Sequence, residues 1–294
     1  MHTIRRRAMR AVATLVVLCC LLVTAGIYAT RTQPVQAQEA GTVEGIHLPV
    51  LMYHSILPPS VSAGTYIVSP DLLEQDLQYL QKEQYTTITV QNLIDYVNGR
   101  GGLPEKPIML TFDDGYYNNY KYAFPLMKKY HMKMVFSPIG ICTEQFSKSD
   151  ADHITYSHVT WSELQEMISS GLVEVQNHTY DLHKSGKGKR LGSSKLRTES
   201  TAKYQSMLRS DLNKMQELVF QHTGVRMTAF TYPFGAISEA AGPVIREMNF
   251  QATLTCRSRV NLITKEPSCL YGLGRFLRKP GIAPAQFFRE TVKL

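Results

Sequence analysis

Two adjacent carboxylates in the middle of the chain could do acid–base or metal chemistry. Asp113 and Asp114 follow the apolar run of residues 108–110 and precede Gly115. Consecutive side chains of a strand point in different directions, so one carboxylate could bind a metal ion while the other acts as a base. The alternative is an ordinary surface turn, because Asp-Asp-Gly is also favourable turn chemistry.

Two histidines form a second cluster, in residues 177–183 (NHTYDLH). His178 and His183 are five positions apart, so a turn between them would let both imidazoles converge. Two histidines and one carboxylate with an open position are a common catalytic zinc set. Either histidine alone could be structural, but the pair together with the two Asp residues predicts a metal site.

A third cluster, residues 231–235 (TYPFG), offers a backbone rather than charged side chains. Tyr232 is its only titratable residue, whereas Pro233 and Gly235 shape a turn that could present backbone N–H groups. The alternative is an ordinary strand-to-helix connection. Because each of the three clusters follows an apolar run, the elements that carry them decide whether they meet.

Short apolar runs alternate with helical patterns along most of the chain. This alternation predicts an α/β fold with a parallel sheet. The segment that starts at His47, about 248 residues, matches the ~250 residues typical of a single (β/α) barrel. The predicted strands are residues 48–54, 107–112, 132–136, 172–176, 228–231, 252–255 and 270–276. The predicted helices are residues 69–83, 90–98, 120–130, 160–171, 200–223, 237–248 and 284–292.

The positive charge of the chain is concentrated at its start. The sequence has 32 Lys+Arg against 24 Asp+Glu, a formal charge of +8. Residues 1–31 contain five Arg and no acidic residue, so 27 basic and 24 acidic residues, or +3, remain for the rest. With that small excess and no recognition motif, we expect no nucleic-acid partner.

Residues 11–29 are uncharged and mostly apolar, close to the ~20 residues that span a bilayer as a helix. With their basic flank they predict a signal-anchor helix in residues 1–30, hence a single-pass membrane protein whose remainder lies outside the cytoplasm. The alternative is a signal peptide cleaved near residues 35–37, which would secrete the protein. Residues 31–46 predict a flexible tether, and residues 47–294 predict one catalytic domain.

Two further features leave alternatives open. Residues 184–203 hold seven Lys or Arg and one Glu, which indicates a solvated loop or, alternatively, a groove for an anionic polymer or a membrane-facing patch.

Beyond the apolar segment the cysteines are Cys142, Cys256 and Cys269. Cys256 and Cys269 could form a disulfide, or all three could be small buried residues.

The three clusters, in this order and each after a predicted strand, resemble the motifs of the polysaccharide deacetylases, carbohydrate esterase family 4 with the NodB-type domain. Residues 111–116 (TFDDGY) match the first motif of this family, residues 177–183 the second, and residues 231–235 the position of the third. Residues 48–56 (LPVLMYHSI) also resemble the start of an exported, membrane-anchored subgroup. The resemblance implies a distorted (β/α)7–8 barrel and a metal-dependent N-deacetylase of polysaccharides.

The resemblance also implies a role for each matching residue. Asp113 would be the general base that activates the attacking water. The metal would be Zn²⁺ or another divalent transition metal such as Co²⁺ or Ni²⁺. Its ligands would be Asp114, His178 and His183.

Further roles follow for residues of the first and third motifs. The backbone N–H of Phe234 would stabilise the oxyanion that forms during amide hydrolysis. Tyr116 and Tyr232 would line the groove for the substrate, an N-acetylated polysaccharide. All these residues would lie at the carboxyl end of the barrel strands, where barrel enzymes place their active sites.

The sequence departs from the family pattern at two points. The third motif usually has an Arg that orients the base, but the residue here is Thr231. Arg275 could replace that Arg electrostatically, or it could be a salt-bridge residue at the barrel rim. The chain also has no Leu-x-His motif near its C-terminus to supply the general acid. His54, at the end of the first predicted strand, is the candidate for that role, with a structural histidine as the alternative.

Together these features predict metal-dependent hydrolysis of N-acetyl groups from an N-acetylglucosamine-containing cell-surface polysaccharide, with release of acetate. Peptidoglycan, poly-N-acetylglucosamine and chitin-like chains all stay open as substrates. The alternative is a catalytically decayed carbohydrate-binding module on the same barrel, although the retained Asp113 argues against it. A glycosidase would need two carboxylates about 5–10 Å apart on opposite sides of a sugar, which adjacent residues do not suit.

Overall fold

The structure is a computed structural model that describes residues 44–149, 152–187 and 190–294. The predicted signal-anchor helix in residues 1–30 lies outside the described residues, as does nearly all of the predicted tether of residues 31–46. Within the part of the chain that the structure describes, no helix combines the length and the apolar character needed to cross a bilayer.

The described residues contain twelve strands, and seven of them form the centre of the fold. The central strands are β2 (Val50–Tyr53), β6 (Pro107–Asp114), β7 (Met134–Pro138), β8 (Val173–Val175), β9 (Ala229–Thr231), β10 (Ala252–Leu254) and β12 (Phe276–Leu277). The other strands are β1 (Ile46–Leu48), β3 (Ser55–Ile56), β4 (Ile67–Val68), β5 (Thr86–Thr87) and β11 (Asn261–Ile263).

The seven central strands close into a parallel barrel. The order β12-β2-β6-β7-β8 is continuous and parallel, and β9 pairs in parallel with β10. Two parallel bridges join these sets, because Asn177 pairs with Phe230 beyond the end of β8 and Leu254 pairs with Leu273 ahead of β12. The predicted α/β fold with a parallel sheet is therefore confirmed.

Helices connect most of the barrel strands. The described residues contain α1 (Pro70–Lys82), α2 (Val90–Val97), α3 (Phe124–Tyr130), α4 (Gly140–Phe146), α5 (Trp161–Ser169), α6 (Thr201–Thr223), α7 (Gly242–Glu247) and α8 (Pro284–Gln286). Turns of π-helix lie at Asn119–Ala123 and Phe287–Val292, and turns of 3-10 helix lie at Pro233–Gly235, Glu239–Ala241 and Pro267–Leu270.

Side-chain caps fix where several helices begin. Ser69 caps α1 through its hydroxyl, and proline follows it at the first helical position. Thr89 with Asn92 and Thr160 with Glu163 form reciprocal capping boxes at the starts of α2 and α5. These short polar signals are legible in the sequence, and the three helices begin where they were predicted.

Short elements account for the differences between predicted and observed boundaries. The predicted helix of residues 237–248 is a 3-10 turn followed by the six residues of α7. The predicted strand of residues 270–276 shrinks to the two residues of β12. No helix was predicted at α4, whose seven residues begin with glycine. Elements this short carry too few residues for a periodic pattern.

β6 is the strand that matters most for the site. All eight of its residues are buried, as expected for a parallel strand that is covered on both faces. It pairs with β2 on one side and β7 on the other. The barrel therefore holds the carboxyl end of β6, with Asp113 and Asp114, in a rigid position.

Candidate active site

The three polar clusters of the sequence meet at the carboxyl end of the barrel. β6 ends at Asp113 and Asp114, the chain after β8 carries His178, and the chain after β9 carries the turn of residues 231–235. Parallel strands bring their carboxyl ends to the same face of a barrel, which is why residues distant in sequence become neighbours here.

A backbone turn at the end of β6 separates the two carboxylates. Asp114 and Gly115 have φ angles of 69° and 81°, both in the left-handed region. A Cβ on Gly115 would lie 2.6 Å from the Cβ of Pro138, so this position requires glycine. The turn leaves Asp113 facing Arg275, whereas Asp114 faces the histidines.

Asp114, His178 and His183 form a compact group of potential metal ligands. Their ligand atoms all lie within 4.8 Å of one another. Oδ1 of Asp114 is 3.5 Å from Nε2 of His178 and 3.2 Å from Nε2 of His183. This oxygen is buried and has no hydrogen-bond partner among the described residues. A buried carboxylate oxygen without a hydrogen bond, opposite two imidazole nitrogens, is an arrangement that a divalent cation fits.

The orientation of His178 is fixed by the strand behind it. Nδ1 of His178 lies 2.7 Å from the carbonyl oxygen of Thr231, and a carbonyl oxygen only accepts, so Nδ1 is the donor. In the neutral ring the lone pair is then on Nε2, the nitrogen nearest Asp114. Such a hydrogen bond on the far nitrogen is typical of metal-binding histidines. Thr231 thus contributes through its backbone, which the sequence analysis missed.

Two polar residues hold the turn that brings His183 to His178. Oδ1 of Asn177 accepts a hydrogen bond of 2.9 Å from the backbone N–H of Thr179. Asp211, on α6, accepts the backbone N–H groups of residues 180 and 181 at 2.8 and 2.9 Å. Oδ1 of Asp211 accepts from Tyr180, and Oδ2 accepts from Asp181. The turn is therefore fixed by α6, a helix that is distant in sequence.

Asp113 is paired with a buried arginine. The guanidinium of Arg275 donates to Oδ1 of Asp113 at 2.7 Å and to Oδ2 at 2.8 Å, and the Arg275 side chain has no exposed surface. Arg275 also donates to the backbone oxygen of Thr255 at 2.9 Å. Burial alone would raise the pKa of Asp113, but the charges of Arg275 and His178 outweigh it and hold that pKa below its usual value. The structure therefore places Arg275 against Asp113, as expected if Arg275 takes over the role of the Arg that the third motif usually has.

His54 follows β2 and lies close to both carboxylates. Burial lowers the pKa of His54, and the opposing charges of Asp113 and Asp114 do not cancel this effect. Its Nδ1 is buried and has no hydrogen-bond partner among the residues that the structure describes. The ring meets the exposed ring of Tyr66 edge-on, with the centroids 4.8 Å apart. The site thus has an imidazole that is not occupied by a structural hydrogen bond at Nδ1.

Two aromatic residues border the ligand group. The ring of Phe234 is 4.4 Å from the ring of His183, and Phe234 is 43% exposed. Burial, followed by the charge of Asp114, raises the pKa of Tyr116 to about 12, so its hydroxyl keeps its proton. Tyr116, predicted to line the substrate groove, and Phe234, predicted to donate its backbone N–H to the oxyanion, thus both lie beside the potential metal ligands.

Tyr232 is the predicted site residue that the structure does not bring to this group. Its ring is only 6% exposed and packs against Phe230, with the centroids 4.6 Å apart. Burial raises the pKa of Tyr232 to about 12. Tyr232 directly follows the buried strand β9 and belongs to the core, so we no longer assign it to the substrate groove.

His158 is a residue beside the site that the sequence analysis missed. It forms an antiparallel β-bridge with Tyr116, and the two rings are 4.9 Å apart. Burial lowers the pKa of His158, while the charge of Asp114 opposes that shift. No motif surrounds this histidine, so only the folded chain reveals its position.

The basic segment of residues 184–203 has part of its charge paired. Lys184 lies 2.6 Å from Asp181, and Arg190 donates to both carboxylate oxygens of Glu199 at 2.6 and 2.8 Å. These pairs favour the solvated loop over a groove for an anionic polymer.

The cysteines beyond the apolar segment are free thiols. Cys142 and Cys269 are half-buried, and Cys256 is exposed. The disulfide considered for Cys256 and Cys269 is therefore not formed, and the alternative of three buried cysteines fails for Cys256. The Cys256 side chain instead lies beside the active site, with Sγ 4.0 Å from the Arg275 guanidinium.

Comparison with known proteins agrees with this geometry. A model of the family described as polysaccharide deacetylase matches residues 100–253, a little over half of the chain. The poly-β-1,6-N-acetyl-D-glucosamine N-deacetylase of Escherichia coli (strain K12) is 23% identical over 227 residues, which are 71% of this chain and 34% of that protein. The Staphylococcus aureus (strain N315) protein of the same name is 27% identical over 186 residues, 62% of this chain and 58% of that one. The chain thus spans about a third of the length of the first relative.

A solved structure shows the same fold. The de-N-acetylase from Aggregatibacter actinomycetemcomitans is 25% identical, with a TM-score of 0.70 over 81% of this chain and 97% of that one. The family match covers all three clusters and the barrel strands from β6 to β9. It confirms the resemblance drawn from the residues: the chain belongs to the polysaccharide deacetylase family.

Proposed function

We propose that this protein is a metal-dependent N-deacetylase, which hydrolyses acetamide groups of an N-acetylglucosamine-containing polysaccharide and releases acetate. The observation that carries the proposal is the different surroundings of two adjacent carboxylates. Asp113 is paired with Arg275, whereas the buried Oδ1 of Asp114 faces two imidazole nitrogens without a hydrogen bond. A base beside a metal-binding set is what amide hydrolysis requires.

The ligand set suits Zn²⁺, with Co²⁺ or Ni²⁺ as alternatives. Asp114, His178 and His183 would hold the ion, because one carboxylate and two imidazoles are a common three-residue zinc set. A bound divalent metal would polarise the acetamide carbonyl and lower the pKa of water, which a poor electrophile such as an amide needs.

Asp113 acts as the general base in this proposal. Its pKa is held low by Arg275, so it is ionised at neutral pH. Each carboxylate oxygen has two lone-pair directions, so the two bonds from Arg275 leave capacity to accept a proton from the attacking water. The bidentate pair also fixes the plane of the carboxylate, and this orients the remaining lone pairs.

His54 and Phe234 complete the proposed machinery. The backbone N–H of Phe234 would stabilise the charge that develops on the carbonyl oxygen, a role supported by the position of this residue against His183. Protonated His54 would give a proton to the leaving amine, a role supported by its place directly after β2, the strand beside β6, and by a buried Nδ1 with no hydrogen bond from the described residues.

The substrate class rests on the relatives. Those of E. coli and S. aureus are named for poly-β-1,6-N-acetyl-D-glucosamine, so we propose this polymer ahead of chitin-like chains and peptidoglycan.

We further propose that residues 11–29 hold the enzyme on the outer side of the membrane, beside such a polymer, with secretion after cleavage as the alternative. The intact pair of Asp113 and Arg275 favours an enzyme over a decayed binding module.

Acetate release from a panel of substrates tests the proposal. The full chain is loaded with Zn²⁺ and incubated with poly-β-1,6-N-acetylglucosamine, chitin oligomers and peptidoglycan. We expect acetate from the first substrate and about 10²- to 10⁴-fold less from Asp113→Asn. No acetate from any of the three by a metal-loaded protein, or an undiminished rate in Asp113→Asn, would refute it.

A further inference from the structure

A row of aromatic rings leads away from the candidate metal site across the surface. Five residues form this aromatic ladder, in the order Tyr116, His158, Phe146, Tyr156 and His153. Successive ring centroids are 4.9, 5.5, 6.4 and 4.3 Å apart. The first ring is half-buried beside Asp114, and the fourth is 55% exposed. The ladder therefore runs from the metal ligands outwards to solvent.

The backbone holds the ladder in a fixed position relative to the site. Val159 donates to the backbone oxygen of Gly115 at 2.9 Å, and Tyr117 donates to that of Ser157 at 2.8 Å. These two bonds pair the ladder segment with the residues that directly follow the metal ligand Asp114. A surface that is pre-organised in this way loses little conformational entropy when it binds a ligand.

Beyond Phe146 the ladder borders a polar cavity. This cavity has a volume of about 650 Å³ and is lined by Phe146, Asp152, Glu163 and Gln165 among others. The half-buried ring of Phe146 beside these carboxylate and amide side chains presents both an apolar and a hydrogen-bonding surface. A pyranose ring offers the matching pair, since its C–H faces are apolar and its edge carries hydroxyl groups.

We infer that the aromatic ladder is an extended binding surface for the polysaccharide strand, on which sugar units beyond the one being deacetylated stack. This inference rests on the proposed function, because it places the reacting acetamide at Asp114 and the following units over His158 and Phe146. The ligand we infer is a neutral N-acetylated glycan strand, because the rings provide stacking surfaces and the ladder begins at the metal site. The ladder thereby makes the enzyme select long chains over short ones.

The test compares binding of short and long oligomers. Tyr156→Ala and Phe146→Ala are made in the full chain, and binding of β-1,6-linked N-acetylglucosamine disaccharide and hexasaccharide is measured by calorimetry. We expect Kd for the hexasaccharide to rise about tenfold in each variant, and Kd for the disaccharide to rise less than about twofold. Tyr156→Phe, which keeps the ring, should restore hexasaccharide affinity to within about twofold of wild type.

A matched control and a second readout separate the possible failures. Phe220→Ala removes a ring that is 39% exposed near the end of α6, outside the ladder, and should leave both Kd values unchanged. Equal losses for both oligomers, or no loss for the hexasaccharide, would overturn the inference. Binding is measured in the Asp113→Asn background, which prevents turnover, and acetate release is measured with Asp113 intact. A protein that binds by the ladder but releases no acetate therefore contradicts only the proposed function. Thermal unfolding checks that each variant is folded, and exposed Tyr156 is the variant least able to disturb the core.

Discussion

The two carboxylates at the end of β6 are neighbours in sequence and have opposite surroundings. Asp113 receives the Arg275 guanidinium on both of its oxygens, at 2.7 and 2.8 Å. Asp114 faces the Nε2 atoms of His178 and His183, and its buried Oδ1 has no hydrogen bond from any described residue. One carboxylate is paired with an arginine, whereas the other faces two imidazole nitrogens in an arrangement that a divalent cation fits.

The difference shows how a single strand end could supply both parts of the proposed hydrolytic site. The left-handed backbone at Asp114 and Gly115 turns the second carboxylate away from the first. A buried charge is stable only when it is paired, so each carboxylate needs its own partner. Here the fold provides an arginine for one and a metal-binding set for the other.

Removal of the metal should produce the largest loss of acetate release among these tests. It affects the group of Asp114 and the two histidines and leaves the pair of Asp113 and Arg275 in place. After dialysis against a chelator, acetate release should fall at least about a thousandfold, since the Lewis acid supplies several kcal/mol of stabilisation to the transition state. Zn²⁺ added back should restore the rate. Full activity in protein shown to be metal-free would break the comparison, and circular dichroism checks that the chelated protein stays folded.

Arg275→Lys acts on the Asp113 side and should lower kcat by about 10- to 100-fold, because lysine keeps the charge but loses the two-pronged hydrogen bond. Arg278 gives a matched control at the other end of β12, since it is also buried and donates to both oxygens of buried Asp76 at 2.8 Å. Arg278→Lys should lower Tm by several degrees and leave kcat of the folded protein unchanged. Equal kcat losses in the two variants would mean that Arg275 is only structural.

Asp211→Ala should weaken metal binding without removing a ligand. Asp211 holds the turn between the two histidines through two backbone N–H groups, so its loss should raise the Kd for Zn²⁺ by about 10- to 100-fold. Competition with a chelating dye measures this Kd. Asp95→Ala removes a carboxylate from an exposed pair with Arg100 and serves as the control. A Kd equal to that of the control would show that the turn needs no support from α6.

Glu199 forms a carboxylate–arginine pair away from the site, and its substitution should have the smallest effect of these changes. The hydrogen bonds from Arg190 lower the pKa of Glu199 to about 2, below its ordinary 4.5, so the pair stabilises the fold above about pH 4.5 and loses this effect as pH falls towards 2. Glu199→Gln should lower Tm by about 2–4 °C at pH 7. The difference from wild type should shrink on acidification, and a difference independent of pH would contradict the assignment. Glu217→Gln, in an exposed pair with Arg226, is the control.

Local chemistry made much of this site predictable. The two Asp residues, their glycine and the spaced histidines are each encoded within a few residues, and each follows a strand whose apolar run is long enough to recognise. The barrel then brings strand ends together by its topology. Because these short motifs also match those of the family, roles for the two Asp residues and the two histidines could be predicted from the sequence.

Contacts between distant segments were not predictable in the same way. Asp211 and His158 carry no motif, and they reach the site only because α6 and the segment before α5 pack there. Thr231 contributes a carbonyl oxygen, which every residue has. Tyr232 was predicted to line the groove, but its ring is buried against Phe230, because a motif does not show which side of a strand end faces the core.

The most direct test of the account is the metal content of Asp113→Asn and Asp114→Asn, measured on the same preparations as their acetate release. Both variants remove one negative charge at the end of β6 and preserve side-chain volume. The account predicts that Asp113→Asn keeps about one equivalent of Zn²⁺ and loses activity, whereas Asp114→Asn loses both. Equal zinc content in the two variants, or acetate release at the wild-type rate by Asp113→Asn, would contradict it.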